Sequence, residues 1–123
     1  MKILDTKEVV KVFSEFALKK VGEGKTTVER EERLELAVAA WNIAYWEEKE
    51  KREEYIVQIQ EHFYKNCENE NQADDKVKLL RKYIDEKRTK YKFPKNQILD
   101  SKLEELSESK LLFHLDISEH DGT

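Results

Sequence analysis

Residues 34–46 read LELAVAAWNIAYW, from Leu34 to Trp46. This is the one long apolar run in a chain of 123 residues, 41% of which are charged. Leu34, Ala37, Val38, Trp41, Ala44 and Tyr45 recur at steps of three and four, which is the spacing of one helix face. Ala39 and Ala40 add helix propensity, and Ala37 and Ala44 let a neighbouring backbone come close. Ile43 and Trp46 lie off that stripe, so the helix is apolar over more than one side and is expected to be buried on several. At about 1.5 Å per residue the run spans roughly 20 Å, whereas a bilayer crossing needs about 20 apolar residues. The expectation is a central core helix, with Trp41 buried together with Leu34, Val38 and Tyr45. Asn42 sits within it. A buried amide must be hydrogen-bonded, and pairing with a neighbouring loop backbone is expected rather than contact with a ligand.

The rest of the composition narrows the fold class. Hydrophobic content is 38%, with one Pro and three Gly, so the core must be narrow and the helices sharply two-faced. Few breakers favour helices over a turn-rich β-sandwich. The expected class is mainly α (α+β): about four helices around the central one, with a small C-terminal β-hairpin at about 97–118. Residues 1–118 are expected to form a single domain and 119–123 a flexible tail. The lone cysteine, Cys67, has no partner for an internal disulfide. Met1-Lys2-Ile3-Leu4 runs straight into Asp5-Thr6-Lys7, unlike a signal peptide, so a cytoplasmic location is expected.

Asp5-Thr6-Lys7-Glu8 has the form of a cap followed three residues later by Glu. Val9, Val10, Phe13, Phe16, Ala17 and Val21 then share a face, predicting a helix over 6–21. Gly22-Glu23-Gly24 is expected to end it, through a glycine in the left-handed region. This Gly-x-Gly does not read as a phosphate loop: it follows a helix and lacks the third glycine and the Gly-Lys-Ser/Thr ending. Thr26 to Glu29 forms a second capping box that opens the central helix. Glu47 to Glu54 contains no apolar residue. An unbroken helix to Asn66 would reach nearly 60 Å, against the roughly 35 Å across expected for a domain of this size. A break near Trp46 to Lys49 is therefore expected, with a third helix over 48–66 burying Tyr55, Ile56, Ile59 and Phe63. Asn66 to Asp75 reads as the main loop, with Asp74 or Asp75 capping a fourth helix over 75–91. Val77, Leu80, Ile84 and Tyr91 form its stripe, with Lys87 at the skipped position, and Pro94 stops it. Lys110 to Ser118 alternates, so Leu111, Phe113, Leu115 and Ile117 point to one side of a strand. Its expected partner is Gln97 to Leu106, turning through Ser107-Glu108-Ser109, although Leu99, Leu103 and Leu106 also fit a short helix.

No Cys pair, His-x-x-x-His, Gly-x-Ser-x-Gly or acidic metal loop is present. No catalytic, cofactor-binding or metal-ligating residue and no cofactor is expected. His114, Asp116, His120 and Asp121 are the only near-cluster of ligands, and the last two lie in the expected tail. Charge, however, is uneven. From Lys76 to Lys95 there are nine Lys or Arg against two acids, Asp85 and Glu86; from Asn96 to Thr123 there are two basic and seven acidic residues. The leading expectation is a non-catalytic helical protein-interaction module, binding another protein or itself and no membrane. The alternative is an RNA- or DNA-backbone binder using the basic segment 76–95, with Lys87, Arg88, Lys90, Lys92 and Lys95 as candidate contacts to nucleic acid or to an acidic partner. A small enzyme without a recognisable motif is a third reading.

Overall fold

The computed structural model describes residues 6–66, 69–91, 97–107 and 110–117. They form four helices followed by an antiparallel hairpin: α1 (Thr6–Gly22), α2 (Thr27–Ile43), α3 (Lys49–Asn66), α4 (Glu70–Lys90), β1 (Ile98–Ser107) and β2 (Lys110–Ile117). The architecture is a four-helix bundle with a small C-terminal β-hairpin. The expected cap at Asp5, the stop at Pro94, Cys67 and the tail 119–123 lie outside the described residues.

Helix α1 ends at Gly22, but neither Gly22 nor Gly24 adopts the left-handed conformation expected of a glycine cap. Gly24 is required for a different reason. A Cβ there would lie 2.9 Å from the backbone nitrogen of Arg30, whose Nε donates to the Gly24 carbonyl at 3.1 Å. The second capping box forms with a small shift. Thr26 Oγ1 accepts from the Glu29 N–H at 3.1 Å, while the Glu29 carboxylate reaches back one residue further, to the Lys25 N–H at 2.6 Å.

Helix α2 contacts α1, α3, α4 and β1, as a central helix must. Its buried arc runs from Leu34 through Trp41, Ala37, Ala44 and Ala40 to Leu36 and Ile43. Val38 and Tyr45, expected inside, are only half-buried because they sit at the margin of that arc. Trp41, 1% exposed, is the hub of an aromatic cluster. The Phe13 ring meets it edge-on at 5.3 Å and the Phe16 ring lies tilted at 5.6 Å; Phe16 in turn meets Tyr91 at 5.5 Å, and Phe13 meets Phe113 of β2 at 6.1 Å. Such pairs add about 0.5–1.5 kcal/mol each beyond their area burial.

The break between α2 and α3 falls at 44–48, overlapping the expected Trp46 to Lys49 but starting two residues earlier. No Gly or Pro makes it. The Ala40, Asn42 and Ile43 carbonyls at the end of α2 accept from the N–H groups of Ala44, Tyr45 and Trp46, and arginine side chains hold the carbonyls of the linker itself: Arg88 Nη1 donates to the Ala44 and Trp46 carbonyls at 3.0 Å, and Arg52 Nη1 to those of Trp46 and Glu47 at 2.7 and 2.8 Å. Helix α3 buries only Ile56 fully, with Tyr55, Ile59 and Phe63 half-buried, and packs chiefly on α4.

Helix α4 starts a turn and a half earlier than the sequence reading places it. Asn69, not Asp74 or Asp75, is the cap; its Oδ1 accepts from the Gln72 N–H at 2.9 Å. The extra turn is stabilised by Ala73, which carries the buried stripe back from Val77, Leu80 and Ile84. Asp74, freed from capping, accepts instead from the Tyr64 hydroxyl at 2.7 Å, tying the end of α3 to α4. That hydrogen bond pushes the Tyr64 phenol above its ordinary pKa.

Candidate functional site

Two surfaces carry the chemistry singled out in the sequence. The first is the basic segment on α4, and its cations divide into those that hold the fold and those that face solvent. Lys87 is 4% exposed. Its aliphatic stem fills the stripe position between Ile84 and Tyr91, and its Nζ donates to the Tyr91 carbonyl at 2.6 Å while lying 4.0 Å over the Trp41 ring. Arg88 holds the linker after α2 through the Ala44 and Trp46 carbonyls and reaches Glu47 at 3.3 Å. These two candidate contacts are therefore committed to contacts within the fold, Lys87 in the core and Arg88 at its partly buried margin. Lys90 is exposed; Lys92 and Lys95 lie outside the described residues. Arg81 holds Glu53 of α3 in a two-pronged pair, 2.7 and 3.0 Å. Lys76 meets Glu32 at 3.5 Å.

Among the described residues, Lys82 and Lys90 have no carboxylate within ion-pair distance, and neither does Lys19 of α1, which the sequence reading did not single out. These three border a groove of about 310 Å³ between α1 and α4. The two acids on the same groove are already neutralised. Glu86 is 2.7 Å from Lys20, itself buried with its Nζ donating to the Phe16 carbonyl at 2.7 Å; Glu23 is 3.8 Å from Arg33. The groove is thus locally positive on a chain whose formal net charge is -4. A smaller cleft of about 170 Å³ lies between α2, α3 and α4, floored by Leu36, Ala39, Ile59 and Phe63. It is below the roughly 300 Å³ at which small-molecule sites begin.

The second surface is the hairpin. Ile117 pairs with Ile98, Asp116 with Asp100, Leu115 with Ser101, His114 with Lys102, Phe113 with Leu103, Leu112 with Glu104, Leu111 with Glu105 and Lys110 with Ser107. The register skips one residue of β1 at Leu99 and again at Leu106. Both bulges therefore fall on β1, and they turn those two leucines out, 64% and 48% exposed. Strand β2 is regular throughout. Its alternation is as expected: Phe113 is buried, Leu111, Leu115 and Ile117 are half-buried, and Leu112, His114 and Asp116 face solvent. β1 packs on α2 and β2 on α1.

Asn42 ties the hairpin to the central helix, beside an ion pair at 3.5 Å between Arg30 of α2 and Glu105 of β1. Asn42 Nδ2 donates to the Ile98 carbonyl at 2.9 Å, and Asn42 Oδ1 accepts from the Ile98 N–H at 2.8 Å. The amide thus does pair with backbone, but with the first residue of a strand rather than a loop. On the solvent face His114 Nε2 contacts Glu104 at 2.6 Å. His120 and Asp121 lie outside the described residues, and among those described no three His, Cys, Asp or Glu side chains gather around a common point. No helix among them is long and apolar enough to cross a membrane.

Comparison of the chain with protein-family models, with curated proteins and with solved structures finds no match.

Proposed function

We propose that the protein is a non-catalytic interaction module that engages another polypeptide through the free edge of β2. The observation that carries this reading is the asymmetry of the hairpin. β1 is blunted twice by bulges, a common protection of a sheet edge, whereas β2 runs unbulged from Lys110 to Ile117 with its outer backbone groups unpaired by any described strand. The half-buried side chains of Leu111, Leu115 and Ile117 lie along that edge. An added strand would cover them while pairing the backbone, which is how strand addition obtains both affinity and specificity.

The test compares the parent protein with Leu115→Lys, which sets a charge on the inner row of the edge without touching Phe113. Circular dichroism shows whether the fold is kept, and crosslinking in the native host identifies what the parent contacts. Crosslinks retained in full by a folded Leu115→Lys variant would sink the reading.

A second reading, binding of a nucleic-acid backbone, is favoured by one observation: the three unpaired lysines, Lys19, Lys82 and Lys90, around the α1–α4 groove. Changing them together to Gln should weaken binding of labelled single-stranded RNA and lower the salt slope by about one unit per lost phosphate contact. No binding by the parent protein at low salt removes this reading.

A further inference from the structure

The occupant of the β2 edge can be specified further, on the footing that this edge is the docking surface. We infer that it is a second copy of the same chain, with β2 paired antiparallel to β2 of the other copy about a two-fold axis through Phe113.

The constraint comes first from geometry. In an antiparallel pair, residues directly opposite share a face, so a symmetric β2–β2 pairing must be centred on a residue and not between two. Within an eight-residue strand few centres are open. Centring on Phe113 gives every residue from Lys110 to Asp116 an opposite number on the described strand, with opposite charges facing each other and the inner row apolar throughout. On the solvent face Lys110 meets Asp116 of the other copy, twice by symmetry, and Leu112 meets His114. On the inner face Leu111 meets Leu115, again twice, and Phe113 meets itself. Centring on His114 instead sets two histidines against each other and leaves Leu112 opposite Asp116. Centring on Leu112 sets Lys110 opposite His114 and gives Asp116 no partner on the described strand.

Three observations within one copy agree with the Phe113 centre. Neither Lys110 nor Asp116 has an ion-pair partner among the described residues. Asp116 stands directly opposite Asp100 within the hairpin, a like-charge pair that a cation from the other side would relieve. Leu111 and Leu115 point inward yet remain half-buried, and they are the side chains that the pairing sets against each other. The arrangement is isologous and closes at two copies, because the remaining edge of each hairpin is the bulged β1.

Four samples test it by sedimentation equilibrium from micromolar to millimolar concentration: the parent, Lys110→Asp, Asp116→Lys and the double variant. Both positions are exposed, and circular dichroism with thermal melting confirms that each variant keeps its fold. The parent is expected to dimerise. Each single variant replaces two attractive cross-strand pairs by two repulsive ones and should weaken dimerisation by about tenfold or more. The double variant restores both pairs, as does an equimolar mixture of the two single variants, so both should regain the parent association constant to within a few-fold. A charge reversal at Lys102, on β1, should leave the dimer unchanged. A parent that stays monomeric over the whole range overturns the second copy as occupant while leaving docking of another polypeptide to the crosslinking test. A dimer indifferent to the charges at 110 and 116, or one that the double variant fails to restore, overturns this edge and register.

Discussion

Replacing Asn42 tests the junction that holds the hairpin to the bundle. Its amide makes two hydrogen bonds with the backbone of Ile98, a residue that is 3% exposed. Asn42→Ala removes both and leaves the Ile98 N–H and C=O without these partners. A net hydrogen bond contributes about 1 kcal/mol, and a buried group left unsatisfied costs about 1–3 kcal/mol, so the expected loss is roughly 2–4 kcal/mol. With an unfolding entropy near 2.1 cal/mol/K per residue, that corresponds to a fall in Tm of about 8–16 °C for a chain of this length. Asn42→Asp separates the two bonds. The introduced carboxylate still accepts from the Ile98 N–H, but its second oxygen faces the Ile98 carbonyl oxygen where the amide nitrogen stood. That repulsion raises the folded pKa of the new carboxyl above its unfolded value, about 3.9. A group with a raised folded pKa stabilises fully below the unfolded pKa and loses that contribution as pH rises through the folded pKa. Measured against the parent at each pH, the variant should therefore show a small deficit in acid, where the protonated carboxyl donates to Ile98, and its full deficit at neutral pH. Urea denaturation followed by circular dichroism gives both differences. An unchanged midpoint for Asn42→Ala, or a pH-independent deficit for Asn42→Asp, would refute the tether.

Three further outcomes follow from the packing. Trp41→Ala should cost about 3–5 kcal/mol, as truncation of a fully buried aromatic does; a denaturant midpoint equal to the parent's would take Trp41 out of the core. Lys87→Gln and Arg88→Gln should each lower Tm, because one loses its seat on Trp41 and the other releases the linker after α2, whereas Lys90→Gln should leave it unchanged; equal effects at all three positions would contradict the division between cations held within the fold and those at the surface. The Arg81 guanidinium holds the Glu53 carboxyl below its ordinary value of 4.5. A depressed folded pKa gives stability that is present above 4.5 and lost as pH falls through the lower folded value. The pair is open to solvent, so the contribution is below about 1 kcal/mol; the parent should lose stability relative to Arg81→Gln only as the pH drops below 4.5, and parallel pH profiles would rule the pair out as a contributor.

What the sequence disclosed followed the range of the interactions. Local signals were enough for α1, for the Thr26 cap and for the inward face of β2, because periodicity and capping act within a few residues. The break at 44–48 could be inferred only from the size of the domain. Its chemistry belongs partly to Arg88, more than forty residues away, and no local pattern announces it. The early start of α4 was hidden for the opposite reason. Asn69 is a good cap in a stretch so polar that it reads as loop, and the only apolar side chain of the added turn is Ala73. Lys87 shows the limit of counting charges. Its position on the helical stripe marked it as a core residue, but its charge placed it in the basic patch; only the Trp41 ring across the core decides between them. Lys19 was missed because it joins Lys82 and Lys90 through tertiary packing alone.

The ambiguity at β1 has a structural cause that bears on the interaction reading. Leu99, Leu103 and Leu106 fall at steps of four and three, which reads as a helix. In the hairpin, Leu99 and Leu106 are the two bulge residues, and only Leu103 follows the inner row. A regular strand would have kept a period of two; each bulge inserts one residue and shifts the phase. The inner row instead runs through Ile98, Ser101 and Leu103, with a step of three across the first bulge, so the leucine spacing mixes one inward residue with two turned out and marks no buried face. The same bulges interrupt the backbone pattern along the outer edge of β1 and set Leu99 and Leu106 out into solvent, so a pairing strand has no even row of donors and acceptors to match there. β2 carries neither insertion. The feature that obscured β1 in the sequence is also what directs any added strand to β2.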